Sequence, residues 1–274
     1  MTRRRPTPSA DDLLTSLGRL TAQALERAES QKARVELAVA LQRELLPAVL
    51  PQVPRLRCAA RYAPARHGLD IGGDWYDGFR LPDGAVGFSI GDVQGHDVEA
   101  AAFMGQIRIG LRAVAAAVED PGEVLSRANE LLLSMDCGLF ATCSFLRFDP
   151  ATSELADARA GHVPGVWATA DGDWGVAEHP GGVPLGVLPG EAYPVTTRRM
   201  SDTEVLALFT DGVVEGPSFS IEAGIEQVAR LVRDAVPADP GELASQVIKV
   251  ADLTGHTDDA AVLVLSHQAA QGTR

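Results

Sequence analysis

The sequence predicts an α+β domain built of layers, with mainly antiparallel sheets and an N-terminal helical extension. Two observations carry that reading. Short apolar runs come in pairs around the turn signals Pro82-Asp83-Gly84, Asp149-Pro150 and Asp171-Gly172, as in hairpins of antiparallel strands. Longer apolar-periodic stretches, the clearest at 98–118, supply helices between and after these pairs.

Residues 1–10 are polar and proline-bearing, and are expected to be disordered. Over 11–46 the pattern is helical. Leu13, Leu17, Leu20, Ala24 and Ala28 keep spacings of three and four, and Val35, Ala38, Leu41 and Leu45 resume them after the polar stretch 29–34. Pro47, Pro51 and Pro54 end the helix. So narrow an apolar seam suits a homodimeric coiled coil or an activator-docking helix; the alternative is a helix folded against its own domain. Residues 47–267 read as one compact domain and 268–274 as a tail. Strands are expected at 57–63, 74–81 and 85–90, then a helix at 98–118. Pro121-Gly122 breaks it before a second helix at 123–135. Two further hairpins follow at 140–148 with 154–160, and at 166–169 with 174–177. After the Pro/Gly-rich loop 179–190 come a strand at 205–209, helices at 221–235 and 240–253, and a last strand at 260–265.

With 274 residues, 46% hydrophobic content and 5% aromatics, the chain can bury a sizeable core of aliphatic side chains. The net charge of −13 and pI near 4.9 exclude nucleic acid as the main ligand, since phosphate backbones need clustered Lys and Arg. The charge is uneven: residues 1–43 carry +3, leaving −16 on the remainder. Cys58, Cys137 and Cys143 are odd in number and lack metal-type spacing, which fits a reducing compartment. The basic Thr2–Arg5 start has no apolar run behind it, so no signal peptide is expected, and no stretch is long enough to span a membrane. A cytoplasmic protein is the expectation.

Four acidic stations stand out: Gly72-Gly73-Asp74-Trp75, Gly91-Asp92-Val93, Thr210-Asp211-Gly212 and Asp258-Asp259. Asp92 and Asp211 follow apolar runs and Asp258-Asp259 precede one. Taken singly, each reads as a turn, a bulge or a solvated strand edge; Asp211-Gly212 alone is a common turn dipeptide. Together they place bare carboxylates where buried strands end. Several carboxylates from distant parts of a chain are the oxygen donor set that Mg2+ and Mn2+ take.

The order of motifs resembles a known family. Leu41-Gln42-Arg43-Glu44-Leu45-Leu46-Pro47, Ala60-Arg61-Tyr62-Ala63-Pro64-Ala65 and Ile71-Gly72-Gly73-Asp74-Trp75-Tyr76-Asp77 are followed by Gly91-Asp92-Val93-Gln94-Gly95-His96. Then come Phe140-Ala141-Thr142, Ala160-Gly161-His162, Pro184-Leu185-Gly186, Thr210-Asp211-Gly212-Val213-Val214-Glu215 and Asp258-Asp259. This run, in unbroken order over roughly 41–266, resembles the PPM-type metal-dependent serine/threonine phosphatases, bacterial SpoIIE/RsbU branch.

The resemblance implies a two-sheet antiparallel β-sandwich flanked by helices, with two Mg2+ or Mn2+ ions at one end. It implies that Asp92 bridges both ions and that the Val93 carbonyl completes one shell. Asp74 would hold the second ion, and Asp211 with Asp258 the first, with Asp259 as the neighbouring acid. The reaction implied is hydrolysis of phosphoserine or phosphothreonine by a water activated between two metals. The substrate implied is a small phosphorylated STAS-type antagonist of an anti-sigma factor.

Gln94 departs from the many family members outside this branch that carry a His there, since an amide cannot act as a general acid. His96, at a shifted spacing, is an accessory candidate whose alternative is capping the turn, and Gly95 supplies positive φ at the same turn. Asp97 reads as a helix N-cap, with an added weaker metal as its second reading. His162, Trp75 and Tyr76 read as structural. The arginine that other branches use to hold phosphate has no assignable counterpart. A catalytically weak scaffold binding the same partner is the competing reading, and a calcium-binding domain fails because no EF-hand loop occurs.

Overall fold

The computed structural model describes residues 10–64, 72–95, 98–217, 219–236, 238–255 and 258–268. Two five-stranded antiparallel sheets face each other. The first runs β1(Leu56–Ala63), β10(Ala260–His267), β9(Val205–Phe209), β6(Val166–Ala168), β7(Trp174–Val176). The second runs β2(Trp75–Arg80), β3(Val86–Val93), β4(Ala141–Asp149), β5(Glu154–Ala160), β8(Val195–Arg199). The two-sheet architecture expected from the motif order is therefore present.

Strand periodicity builds the layers. On β10 every residue is buried, because alternate side chains enter different cores. Ala261, Leu263 and Leu265 point between the sheets, where they join Val86, Phe88 and Ile90 of β3 and Leu206 and Leu208 of β9. Ala260, Val262 and Val264 point outward into a core closed by α5(Ile221–Ala235), α6(Pro240–Val247) and α7(Val250–Thr254). The outer face of the second sheet is covered by α2(Val98–Ala115) and α3(Pro121–Ser134), through Phe103, Met104, Ile107, Leu111, Leu125 and Leu132.

Several elements differ from the sequence expectation. Pro121-Gly122 does not end α2, which already stops at Ala115: Pro121 opens α3, and Asp120 caps it by accepting the Glu123 N–H at 2.9 Å, because proline is tolerated at N1. The expected helix 240–253 is two helices, α6 and α7. β8 was not anticipated at all. Asp211 starts a short helix, α4(Asp211–Val214), rather than a plain turn. The N-terminal helix α1(Ala10–Leu45) spans 36 residues, or about 54 Å at 1.5 Å per residue. Leu45 packs on Ala101 at its C-terminal end, while Leu14, Leu17, Leu20 and Leu25 are exposed. Among the described residues no helix is long and apolar enough to cross a membrane.

The register sets all four acidic stations at one end of the sandwich. Trp75 at the start of β2 pairs with Gly91 near the end of β3. Val262 near the start of β10 pairs with Phe209 at the end of β9. Asp74 and Asp92 thus reach that end from one sheet, and Asp211 and Asp258-Asp259 from the other.

Candidate metal centre

Asp74, Asp92 and Asp211 each offer a carboxylate oxygen within 4.8 Å of the other two. Asp92 lies inside β3, opposite Thr142 of β4, so the ladder fixes its backbone. Asp74 is 2% exposed. It can sit so deep because the two residues before it lack side chains. A Cβ on Gly73 would lie 2.3 Å from the Val93 carbonyl oxygen, and one on Gly72 would lie 0.9 Å from Asp259 Oδ2. The Val93 N–H donates to the Gly73 carbonyl at 3.2 Å, so the Val93 carbonyl stands against the backbone that presents Asp74. Across the sheets, Thr210 Oγ1 donates to Asp74 Oδ2 at 2.7 Å.

Asp258 and Asp259 lie outside that 4.8 Å set. Asp258 is exposed, and its Oδ1 accepts the Asp259 N–H at 2.8 Å. Asp259 is buried, and the Tyr62 hydroxyl donates to its carboxylate. Gly95 is exposed with φ +102°, the left-handed turn expected of it. Gln94 is exposed as well. His96 and Asp97 lie outside the described residues.

Burial and mutual repulsion dominate the electrostatics. Burial, then Asp211 and Asp258, push the Asp92 carboxyl up to about 8. Burial, then Asp92, Asp259 and Asp211, hold Asp74 well above the carboxylate range, while the Thr210 hydrogen bond pulls the other way. Asp211 is raised by burial and by Asp258. Burial and Asp259 hold the Tyr62 phenol well above its ordinary value. Such a group of acids ionises together only when positive charge joins it. The donors are all oxygen, and hard divalent cations match both the charge and the atom type.

His162 and Trp75 are structural, as expected. His162 is buried with Nδ1 2.9 Å from Thr142 Oγ1. Trp75 is fully buried, and its Nε1 donates to Ser89 Oγ at 3.2 Å. Sequence reasoning missed Tyr62 and Thr210 as groups that hold the acids, although Thr210 stands directly before Asp211 in its motif. It also missed the ion pair of Asp77 with α2, whose signal was an acid in a buried strand and two arginines, Arg108 and Arg112, four residues apart. A separate cavity of about 260 Å3, lined by Arg159, Trp167, His179 and Arg198 among others, contains none of the five acids.

Comparison with known proteins agrees with this fold. The family described as Stage II sporulation protein E (SpoIIE) matches residues 82–268. Phosphoserine phosphatase RsbU of Bacillus subtilis is 23% identical over 239 residues, 85% of this chain and 70% of its own. The crystal structure of the RsbU and RsbW domains of a Mycobacterium tuberculosis protein superposes with a TM-score of 0.74 at 31% identity, covering 82% of this chain and 64% of that one. This chain thus spans somewhat less than two thirds of the mycobacterial structure. The catalytic domain of the serine/threonine protein phosphatase PstP, in complex with two manganese ions, superposes at 0.59 with 18% identity, over 78% of this chain and 99% of that one.

Two stacked antiparallel sheets, helices on both outer faces and a carboxylate cluster at one end are the architecture of the PPM-type phosphatases. Within that class, the chain belongs to the SpoIIE family, in the SpoIIE/RsbU branch.

Proposed function

We propose that this protein hydrolyses phosphoserine or phosphothreonine on a partner protein, using two Mn2+ or Mg2+ ions held by its acidic cluster. The observation that carries the reading is the meeting of Asp74, Asp92 and Asp211 within 4.8 Å at the end of the sandwich. In this reading Asp92 and the Val93 carbonyl would be among the oxygen donors to the ions. Asp211 and Asp258 would hold one ion and Asp74 the other, and Asp259, braced by Tyr62, would add negative charge behind them. Bound there, the ions supply a lowered water pKa and neutralise the phosphoryl oxygens. The chain's own part is to gather acids at neighbouring strand ends of two facing sheets, with Asp74, Asp92 and Asp211 already close together, so that little reorganisation is needed when substrate arrives. Gln94 can orient a leaving group or a water by hydrogen bonding but cannot protonate it.

The substrate class proposed is a phosphorylated STAS-type antagonist of an anti-sigma factor in a partner-switching pathway, in keeping with the RsbU relative. The domain divisions proposed are a regulatory helix at 11–46 and the catalytic domain at 47–267. Through that helix the protein would form a homodimer or dock an activator. Free Cys58, Cys137 and Cys143 support a cytoplasmic location.

The test is turnover of p-nitrophenyl phosphate and of a phosphoserine STAS protein with Mn2+. Asp92→Ala and Asp211→Ala are expected to abolish turnover while the chain stays folded. Persistent activity in both variants would sink the metal assignment. The second reading, a catalytically weak scaffold, draws on the missing proton donor at Gln94; tight binding of phosphoproteins without turnover would favour it.

A further inference from the structure

The hydroxyl of Thr210 joins the two sheets at the metal centre. Thr210 follows β9 and is wholly buried. Its Oγ1 accepts the N–H of Ala261, on β10, at 2.9 Å. The hydroxyl proton has two acceptors in reach: Asp74 Oδ2 at 2.7 Å and the Ala261 carbonyl at 3.5 Å. The shorter bond, to a carboxylate, takes the proton. A group fixed to one sheet therefore donates to the acid at the mouth of the other. Asp74 is at the same time faced by Asp92, Asp259 and Asp211, all of like charge when ionised.

We propose that Thr210 is a positioning residue of the metal centre. Anchored by the Ala261 N–H, its hydroxyl holds Asp74 at the separation from Asp211 that a shared cation cluster requires. The bond occupies one lone pair of Oδ2 and leaves the rest of the carboxylate for a cation. The inference rests on the metal-centre reading above and adds to it the residue that sets the spacing between the two sheets' acids. Outer partners of this kind typically change metal affinity by about 10–100-fold when removed.

The experiment is a Mn2+ titration of the full chain by calorimetry or by the EPR signal of free Mn2+, which needs no turnover. Thr210→Val keeps the shape and removes the donor, and its Mn2+ affinity is expected to fall by about 10–100-fold. Thr210→Ser keeps the donor and drops the methyl group, and is expected to retain most of the affinity. A role in packing alone gives the opposite order, with serine worse than valine. Unchanged Mn2+ affinity in Thr210→Val overturns the proposal. If the valine variant does not fold, Thr210→Ala, likewise without a donor, takes its place, and wild-type affinity there overturns the proposal equally. An unaltered chain that binds no Mn2+ overturns the metal centre itself, and the proposal with it.

Discussion

Arg112 grips Asp77 through both Nε and Nη2, each at 2.6 Å, although Asp77 lies wholly buried on β2. Arg108, one turn earlier on α2, reaches the same carboxylate at 3.6 Å. The Arg112 guanidinium also lies 4.9 Å from the centre of the Phe79 ring. Asp77 stands three residues after Asp74, so the clamp ties α2 to the strand that carries one of the metal-centre acids. Alanine at this position leaves two guanidinium groups facing a pocket with no counter-charge. Removing one partner of a buried pair costs about 3–5 kcal/mol, and the partial exposure of Arg112 places Asp77→Ala at the lower end. Urea unfolding measures it. A loss below about 1 kcal/mol would make the pair no stronger than an exposed one.

Gly73→Ala is expected to separate catalysis from folding. The new Cβ would meet the Val93 carbonyl oxygen at 2.3 Å. The oxygen is a backbone atom and the backbone fixes the position of a Cβ, so neither can rotate away, and Asp74 or Val93 must shift by about an ångström. A misplacement of that size can lower turnover by about 100-fold. The far-UV circular dichroism should stay unchanged while activity and Mn2+ affinity fall together. Full activity would place the Val93 carbonyl outside the metal shell.

His162 and Asp92 give the metal-free protein opposite pH responses. Burial, with Arg159 second, pushes the His162 imidazole down to about 3 from 6.5. Between those values the unfolded chain binds a proton that the folded chain refuses. Stability therefore falls as pH drops through that window, by up to about 1.36 kcal/mol per pH unit. Asp92 is raised from 3.8 to about 8, so its contribution is full below 3.8 and is lost as pH rises towards 8. His162→Gln removes the first response and leaves the second. Melts in chelator should then show stability falling with rising pH between about 4 and 6.5 more steeply than in the unaltered protein. Parallel slopes would mean that His162 takes up its proton inside the fold.

The acids were legible because each stands beside glycine or a strand end, and those signals are local. β10 and β9 were legible for the same reason, as short apolar runs with clear ends. β8 was not. Its Val195-Thr196-Thr197-Arg198-Arg199 sequence is that of a solvated edge strand, which lacks the apolar alternation that marks a buried one. Thr210 and Tyr62 escaped notice because their importance comes from which acid lies across the gap, and only the pairing of sheets decides that. Asp77 was hidden likewise: its partners are 31 and 35 residues away on a helix, and the contact exists only once α2 lies on the sheet.

The exposed leucines of α1 yield the last prediction. Helices rarely hold together in water on propensity alone, and α1 leaves Leu14 at 66% and Leu17, Leu20 and Leu25 at 61–62% exposure. Covering each such side chain would contribute about 1.5–3 kcal/mol. The polar stretch at 29–34 interrupts the seam, so association should be driven from the N-terminal half. Light scattering on the full chain is expected to give about twice the 28.9 kDa chain mass, and a chain starting at Gln42 the monomer mass of its own length. Glutamate at both Leu17 and Leu20 places like charges across the seam and should return the full chain to a monomer. Monomeric masses for the unaltered full chain and the shortened one alike would rule out self-association and leave α1 as a docking helix for another protein.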